Sequence, residues 1–226
     1  RLPGKPLIPV GGIPLVIRVL DNVRKCRKVD RVIVAADDER IAEVVLREGG
    51  EVMMTPAELP SGGDRVAWAA ERTPSDYVIN VQVDDPLVGS DMIDPLVEAL
   101  DSDNDVSLAL LAKKIERREE IDSPDIVKMV FDTKGRALYF SRSPIPYPRT
   151  RQGIWYKHIG PYAWRRSFLL DFSKWEQTPL EKRESLEMLR VLERGHSIRC
   201  IMTERDTIEI DTPNDLTRIG KYLSEP

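Results

Sequence analysis

Two adjacent aspartates, Asp84 and Asp85, follow the apolar run from Tyr77 to Val83, and a third acid stands in Asp211-Thr212-Pro213. Any metal this chain holds is expected on carboxylates, because His158 and His196 are its only histidines and Cys26 and Cys200 its only cysteines. None of the four has the spacing of a zinc site, and both cysteines read as reduced. Asp211 has a second reading as a helix cap, beside a proline at a first-turn position. At the other end, Arg1-Leu2-Pro3-Gly4-Lys5-Pro6-Leu7 is a basic loop before a helix. Its glycine permits close approach of the backbone to a phosphate, and Arg1 and Lys5 carry charge suited to a leaving pyrophosphate. Ser61-Gly62-Gly63-Asp64-Arg65 offers amides and an arginine to a nucleotide, or a plain cap through Ser61 or Asp64.

The elements that must position these groups alternate in period. Ile13 to Cys26 reads as an amphipathic helix and Arg31 to Ala36 as a buried strand; Asp38 can cap a helix that Gly49 and Gly50 end, with a strand from Glu51. A helix over Asp64 to Thr73 precedes Tyr77 to Val83, read as a central strand buried on both faces. Open α/β sheets bind ligands beyond the carboxyl ends of their strands, which places a site at Asp84-Asp85. A helix from Ser90 to Leu100 and a strand from Val106 follow. Ile126 to Ser141 then reads as a β-hairpin turning at Gly135. Ser143 to Gly160, rich in proline and aromatics, reads as a loop, lid or dimerisation arm. Helices over Leu180 to Arg194 and Pro213 to Leu223, with a strand at Ser197 to Met202 between them, close the chain. The fold class is α/β, a Rossmann-like mixed and mainly parallel sheet with helices on both faces, expected as a single domain over residues 1–226.

The ordered set RLPGKPL, VIVAADDERI, SGGDR, NVQVDDP, ALYFSRSPIP, KHIG, a Leu-Glu-rich helix and IDTPNDL resembles the CMP-Kdo synthetases, within the nucleotide-sugar cytidylyltransferases. The resemblance covers essentially the whole chain and implies transfer of CMP from CTP to the anomeric hydroxyl of a 2-keto acid sugar, Kdo, with loss of pyrophosphate. It implies Asp84 and Asp211 as ligands of Mg²⁺, with Lys5 beside them in catalysis. Arg1, Lys5, Ser61, Arg65 and Gln82 fall on nucleotide-binding positions, and His158, Glu187 and Arg142 on acid-sugar positions, with Lys128 a further cation for the sugar carboxylate. It also implies a homodimer, a role in lipopolysaccharide biosynthesis, and a family signature whose first strand precedes Arg1. Ala36, Gly63, Val83 and Met188 depart from the family's usual Thr, Thr, Gly and Gln. They leave two other readings open: a different acid sugar, such as an 8-amino Kdo analogue or a nonulosonic acid, or a catalytically impaired nucleotide-binding homologue.

Composition narrows the partners. A net charge of −4 gives no basic excess for a nucleic-acid backbone. No apolar run approaches the ~20 residues of a membrane span, so membrane insertion is not expected and the cytoplasm is.

Overall fold

The computed structural model describes residues 2–59, 61–149 and 153–224. The chain divides into two compact units: Arg1–Ser75 with Asn80–Asp94 and Thr207–Pro226, and Asp76–Ile79 with Pro95–Asp206.

In the first unit, Gly4 takes φ 65° and leads into a 3₁₀ turn, Lys5–Leu7, with Pro6 in its first turn. The helix expected from Ile13 begins at Leu15 and ends at Val23. Ile13–Pro14 instead pairs antiparallel with Pro9–Val10. The joining residues, Gly11 at φ 59° and Gly12 at φ 80°, both need the left-handed region of a tight hairpin turn, a signal the helical period downstream concealed. Asp38 caps the helix Glu39–Arg47 by accepting from Arg40 N. That helix connects the parallel strands Ile33–Ala36 and Glu51–Met54. Helices Gly62–Arg72 and Pro213–Ser224 complete the unit. One core cluster joins Val10, Leu15, Ile210 and Ile219, and a second joins Val16, Ile17, Leu20 and Val45; Val83 packs against both. The branched side chain at position 83 therefore fills the interior, leaving the Asp84 carboxylate free to turn elsewhere.

The second unit holds a mixed sheet in the order Ile198–Met202, Leu108–Lys114, Tyr156–Arg165, Lys128–Phe131, Ala137–Ser141, with Tyr77–Asn80 also on Tyr156–Arg165. Its first pair is parallel. The pairs that Tyr156–Arg165 makes with Leu108–Lys114 and Lys128–Phe131, and the hairpin at Gly135, are antiparallel. Leu108–Lys114 is buried at all but its last residue, the pattern expected for Tyr77–Val83. Tyr77–Asn80 is shorter and mostly half-buried. The excursion ends early: Tyr156–Gly160 is strand, and among the described residues before it 143–149 and 153–155 carry neither helix nor strand. Tyr147 is 85% exposed and Ile154 55%, whereas Trp155 and Tyr156 are half-buried, so the three aromatics do not form one open patch. The helix expected over Leu180 to Arg194 is two, Pro179–Glu184 and Met188–Glu193, because Ser185 turns left-handed at φ 55° between them.

Lys113, Lys157 and Lys128 stand in register across three neighbouring strands, and all three are buried. Like charges side by side need compensation. Lys157 Nζ meets Glu120 Oε1 at 3.1 Å and Asp206 Oδ1 at 2.9 Å, Lys113 Nζ donates to Glu204 O, and Lys128 Nζ donates to Ser123 O and Ile126 O.

Candidate active site

Lys5 Nζ lies 3.1 Å from Asp84 Oδ2 and 2.7 Å from Asp211 Oδ1. The left-handed Gly4 and the turn after it aim the lysine, and a backbone bond from Ile210 N to Asp84 O, 3.0 Å, holds the two acidic segments side by side. Burial works against the ammonium charge, but hydrogen bonds to Asp211 and Asp84 outweigh it and raise the Lys5 pKa above the ordinary amine value. The ammonium is a stand-in cation: two carboxylate oxygens from distant segments converge on one positively charged atom. That donor set fits Mg²⁺, which takes one or two carboxylates and completes its shell with phosphate and water. Among the described residues no group of three or more acidic, histidine or cysteine side chains could hold a metal, so the remaining ligands would come from substrate and solvent.

The cap reading of Asp211 passes to its neighbours. Thr212 N and Oγ1 donate to Asp215 Oδ2 at 2.9 and 2.7 Å, and Asp215 N donates back to Thr212 Oγ1 at 3.4 Å. This reciprocal pair closes the start of Pro213–Ser224 and leaves the Asp211 carboxylate to Lys5.

Of the residues expected to bind nucleotide, Arg1 lies outside the described residues. Ser61 caps Gly62–Arg72, its Oγ accepting from Asp64 N at 3.1 Å. Arg65 is committed to its own fold: Nη1 donates to Thr55 Oγ1 and Pro56 O, and Nη2 meets Asp37 Oδ2 at 2.5 Å. It ties together the loops that follow the parallel strands Ile33–Ala36 and Glu51–Met54. Gln82 is exposed and lies against Gly62, where a Cβ would stand 3.2 Å from its Oε1. The turn at Ser61 and Gln82, expected together, are thus adjacent. Gly63 lies within the same helix start, and Ala36 contributes a buried side chain and a carbonyl that accepts from Thr55 N and Oγ1.

In the second unit His158, Glu187 and Met188 line a pocket of about 130 Å³ with Phe140, Tyr162 and Ser185. His158 sits on Tyr156–Arg165, stacked on Tyr162 at 5.1 Å and edge-on to Phe140 at 6.1 Å. Its Nε2 is buried with no hydrogen-bond partner among the described residues, and burial pushes its pKa down to about 4. A neutral imidazole with an unsatisfied nitrogen can bond a polar group but supplies no charge. Ser185's left-handed turn brings Glu187 and Met188 to the pocket wall. Sequence reasoning missed Tyr162, although four residues from His158 on a strand is an even spacing. Arg142 and Lys128 do not line the pocket. Arg142 donates to Glu184 O at 2.8 Å and Pro124 O at 2.8 Å, and Lys128 is spent on carbonyls and 0% exposed. Position 188, usually an amide in the resembled family, presents a buried thioether here.

Residues 1–198 match the family model described as cytidylyltransferase. A 3-deoxy-manno-octulosonate cytidylyltransferase of Desulfosudis oleivorans is 45% identical, over 99% of this chain and 92% of that protein. The chain belongs to this cytidylyltransferase family. Another member, from Geobacter metallireducens, is 43% identical over 99% of this chain and 93% of its own length. A solved structure of CMP:2-keto-3-deoxy-manno-octonic acid synthetase complexed with CTP superimposes with a TM-score of 0.95 at 35% identity, covering 99% of this chain and 93% of that one. The 4-diphosphocytidyl-2C-methyl-D-erythritol synthase of Anaerococcus prevotii, at 17% identity and a TM-score of 0.62, shares the fold. Membership makes the chain a nucleotidyltransferase, an enzyme with an α/β fold.

Proposed function

We propose that this cytidylyltransferase joins CMP from CTP to the anomeric hydroxyl of Kdo and releases pyrophosphate. The observation that carries the reading is Lys5 held between Asp84 and Asp211, in a chain 45% identical to a 3-deoxy-manno-octulosonate cytidylyltransferase. The new bond forms between the sugar oxygen and the α-phosphorus as the bond from that phosphorus to pyrophosphate breaks. Asp84 and Asp211 would hold Mg²⁺, which would supply charge neutralisation and orientation at the phosphates. Lys5, kept protonated, moves its charge onto the phosphates and stabilises the leaving pyrophosphate. No side chain acts as a nucleophile; catalysis is positioning and electrostatics. Arg1, the Ser61–Arg65 turn and Gln82 bind the nucleotide, and His158 and Glu187 orient the sugar. Arg142 supports that end by holding the Glu184 segment.

Residues 1–226 serve as one cytidylyltransferase domain in the cytoplasm, supplying an activated sugar for lipopolysaccharide. Among the described residues no helix is long and apolar enough to cross a membrane. The homodimer is carried over from the resembled family, since exposed Tyr147 and Ile154 make no single patch with half-buried Trp155 and Tyr156.

Pyrophosphate release is measured with CTP and a panel of acid sugars in Mg²⁺. Turnover with Kdo exceeding that with an 8-amino analogue or a nonulosonic acid is the expected result. Rejection of Kdo overturns the substrate, and binding of CTP without any turnover overturns the activity. Light scattering that finds a monomer at micromolar concentration removes the dimer.

A further inference from the structure

Asn80 ends the strand Tyr77–Asn80 and is buried, only 4% exposed. Its Oδ1 accepts a hydrogen bond from Gln82 Nε2 at 3.0 Å. With the amide nitrogen tied to Asn80, the Gln82 amide lies against the start of the helix at Gly62, where a Cβ would stand 3.2 Å from Oε1 and 3.4 Å from Nε2. Gln82 itself is exposed, so its side chain is open to a ligand. A primary amide that rotates freely offers an acceptor or two donors with equal ease and so cannot distinguish one base edge from its complement. An amide pinned by a buried neighbour presents one face only.

We propose that Asn80 is a positioning residue for nucleotide specificity: it fixes the Gln82 amide so that Oε1 accepts from the 4-amino group of cytosine and repels the 4-carbonyl oxygen of uracil. This rests on the reading of Gln82 and the Ser61–Arg65 turn as the base pocket. Gly62 leaves room for this amide, because a Cβ there would press on both Oε1 and Nε2. A buried or semi-buried bond that one base satisfies and the other leaves unmade is worth about 10–100-fold in discrimination.

The test compares kcat/KM for CTP and UTP, with calorimetric binding of each nucleotide, in the wild-type protein and in Gln82→Ala, Asn80→Ala and Asn80→Asp. The wild type prefers CTP. Gln82→Ala and Asn80→Ala each reduce that preference by about tenfold or more. Asn80→Asp keeps an acceptor for Gln82 Nε2 and retains most of it. A merely structural asparagine would lower both nucleotides together and leave the ratio intact. If Gln82→Ala leaves the ratio unchanged, the base-pocket reading falls and this inference with it. If Gln82→Ala collapses the ratio and Asn80→Ala does not, only the role of Asn80 is overturned. Should melting curves show Asn80→Ala unfolded, Asn80→Ser, too short to reach Gln82, replaces it in the same comparison.

Discussion

Lys5 Nζ bonds Asp211 Oδ1 at 2.7 Å across most of the length of the chain, and the same ammonium reaches Asp84 Oδ2. On the proposed reading, in which these two carboxylates would hold a divalent metal, the lysine competes with that metal for both. Replacing Lys5 by Met should accordingly strengthen metal binding while impairing catalysis. Titration with Mn²⁺ followed by electron paramagnetic resonance, without nucleotide, should show affinity rising by ~10-fold, the scale of one lost charge-assisted hydrogen bond. Turnover should fall by ~100-fold or more for want of charge at the leaving group. Unchanged Mn²⁺ affinity would mean that Lys5 does not compete with the metal.

Asp211→Asn should separate catalysis from folding. The carboxylate is more than half exposed and the helix is capped by Thr212 with Asp215, so the melting temperature should barely change. Pyrophosphate release across a Mg²⁺ titration should drop by ~100-fold or more, for loss of an anionic ligand. Asp215→Ala should do the reverse, costing about 1 kcal/mol of stability by uncapping Pro213–Ser224. Near-normal turnover of Asp211→Asn at low Mg²⁺ would take Asp211 out of the site.

His158 should behave as a neutral residue of the sugar pocket. Its pKa in the fold, about 4, lies below the ordinary histidine value of 6.5, so the unfolded chain binds the extra proton first. Its contribution to stability is full above pH 6.5 and is lost at about 1.4 kcal/mol per pH unit as pH falls toward 4. Denaturant unfolding at pH 7 and pH 5 should show His158→Phe losing about 2 kcal/mol less than wild type over that interval. In kinetics, His158→Ala should raise the KM for Kdo more than the KM for CTP. Equal effects on both substrates would favour a structural histidine.

Glu120→Gln tests the buried lysine row. The glutamate bonds Arg117 Nη2 at 2.6 Å and Lys157 Nζ at 3.1 Å, and without its charge Lys157 faces Lys113 and Lys128 with Asp206 as its remaining acid. Chemical denaturation should register a loss of about 3 kcal/mol, typical of breaking a buried ion pair. A loss under ~0.5 kcal/mol, the size of an exposed pair, would show that Asp206 alone suffices.

Much of the site was legible before any coordinates. The basic loop, and carboxylates as the kind of group to hold a metal, were read from residue type; Asp84, Asp211 and His158 were singled out through the resemblance, His158 within a segment read as irregular, and Lys5 lies against both Asp84 and Asp211. Arg142 and Lys128 were not separable from binding cations by sequence, because charge says nothing about which acceptor a long side chain finds. Both are consumed by backbone carbonyls and Glu184.

Alone, the sequence determined the periodic elements and the caps that depend on neighbours a few residues away, such as Asp38 before Glu39–Arg47, and left Ser61 and Asp64 as alternatives at the start of Gly62–Arg72. It also carried the ordered motifs that mark the family. Only the tertiary structure decided that Val83 faces two core clusters, that Ser185 splits one predicted helix in two, that three lysines align across a sheet, and that Asn80 holds the Gln82 amide. Strand register, left-handed turns and hydrogen-bond partners chosen across the fold are settled by what packing brings together, and no local pattern contains that information.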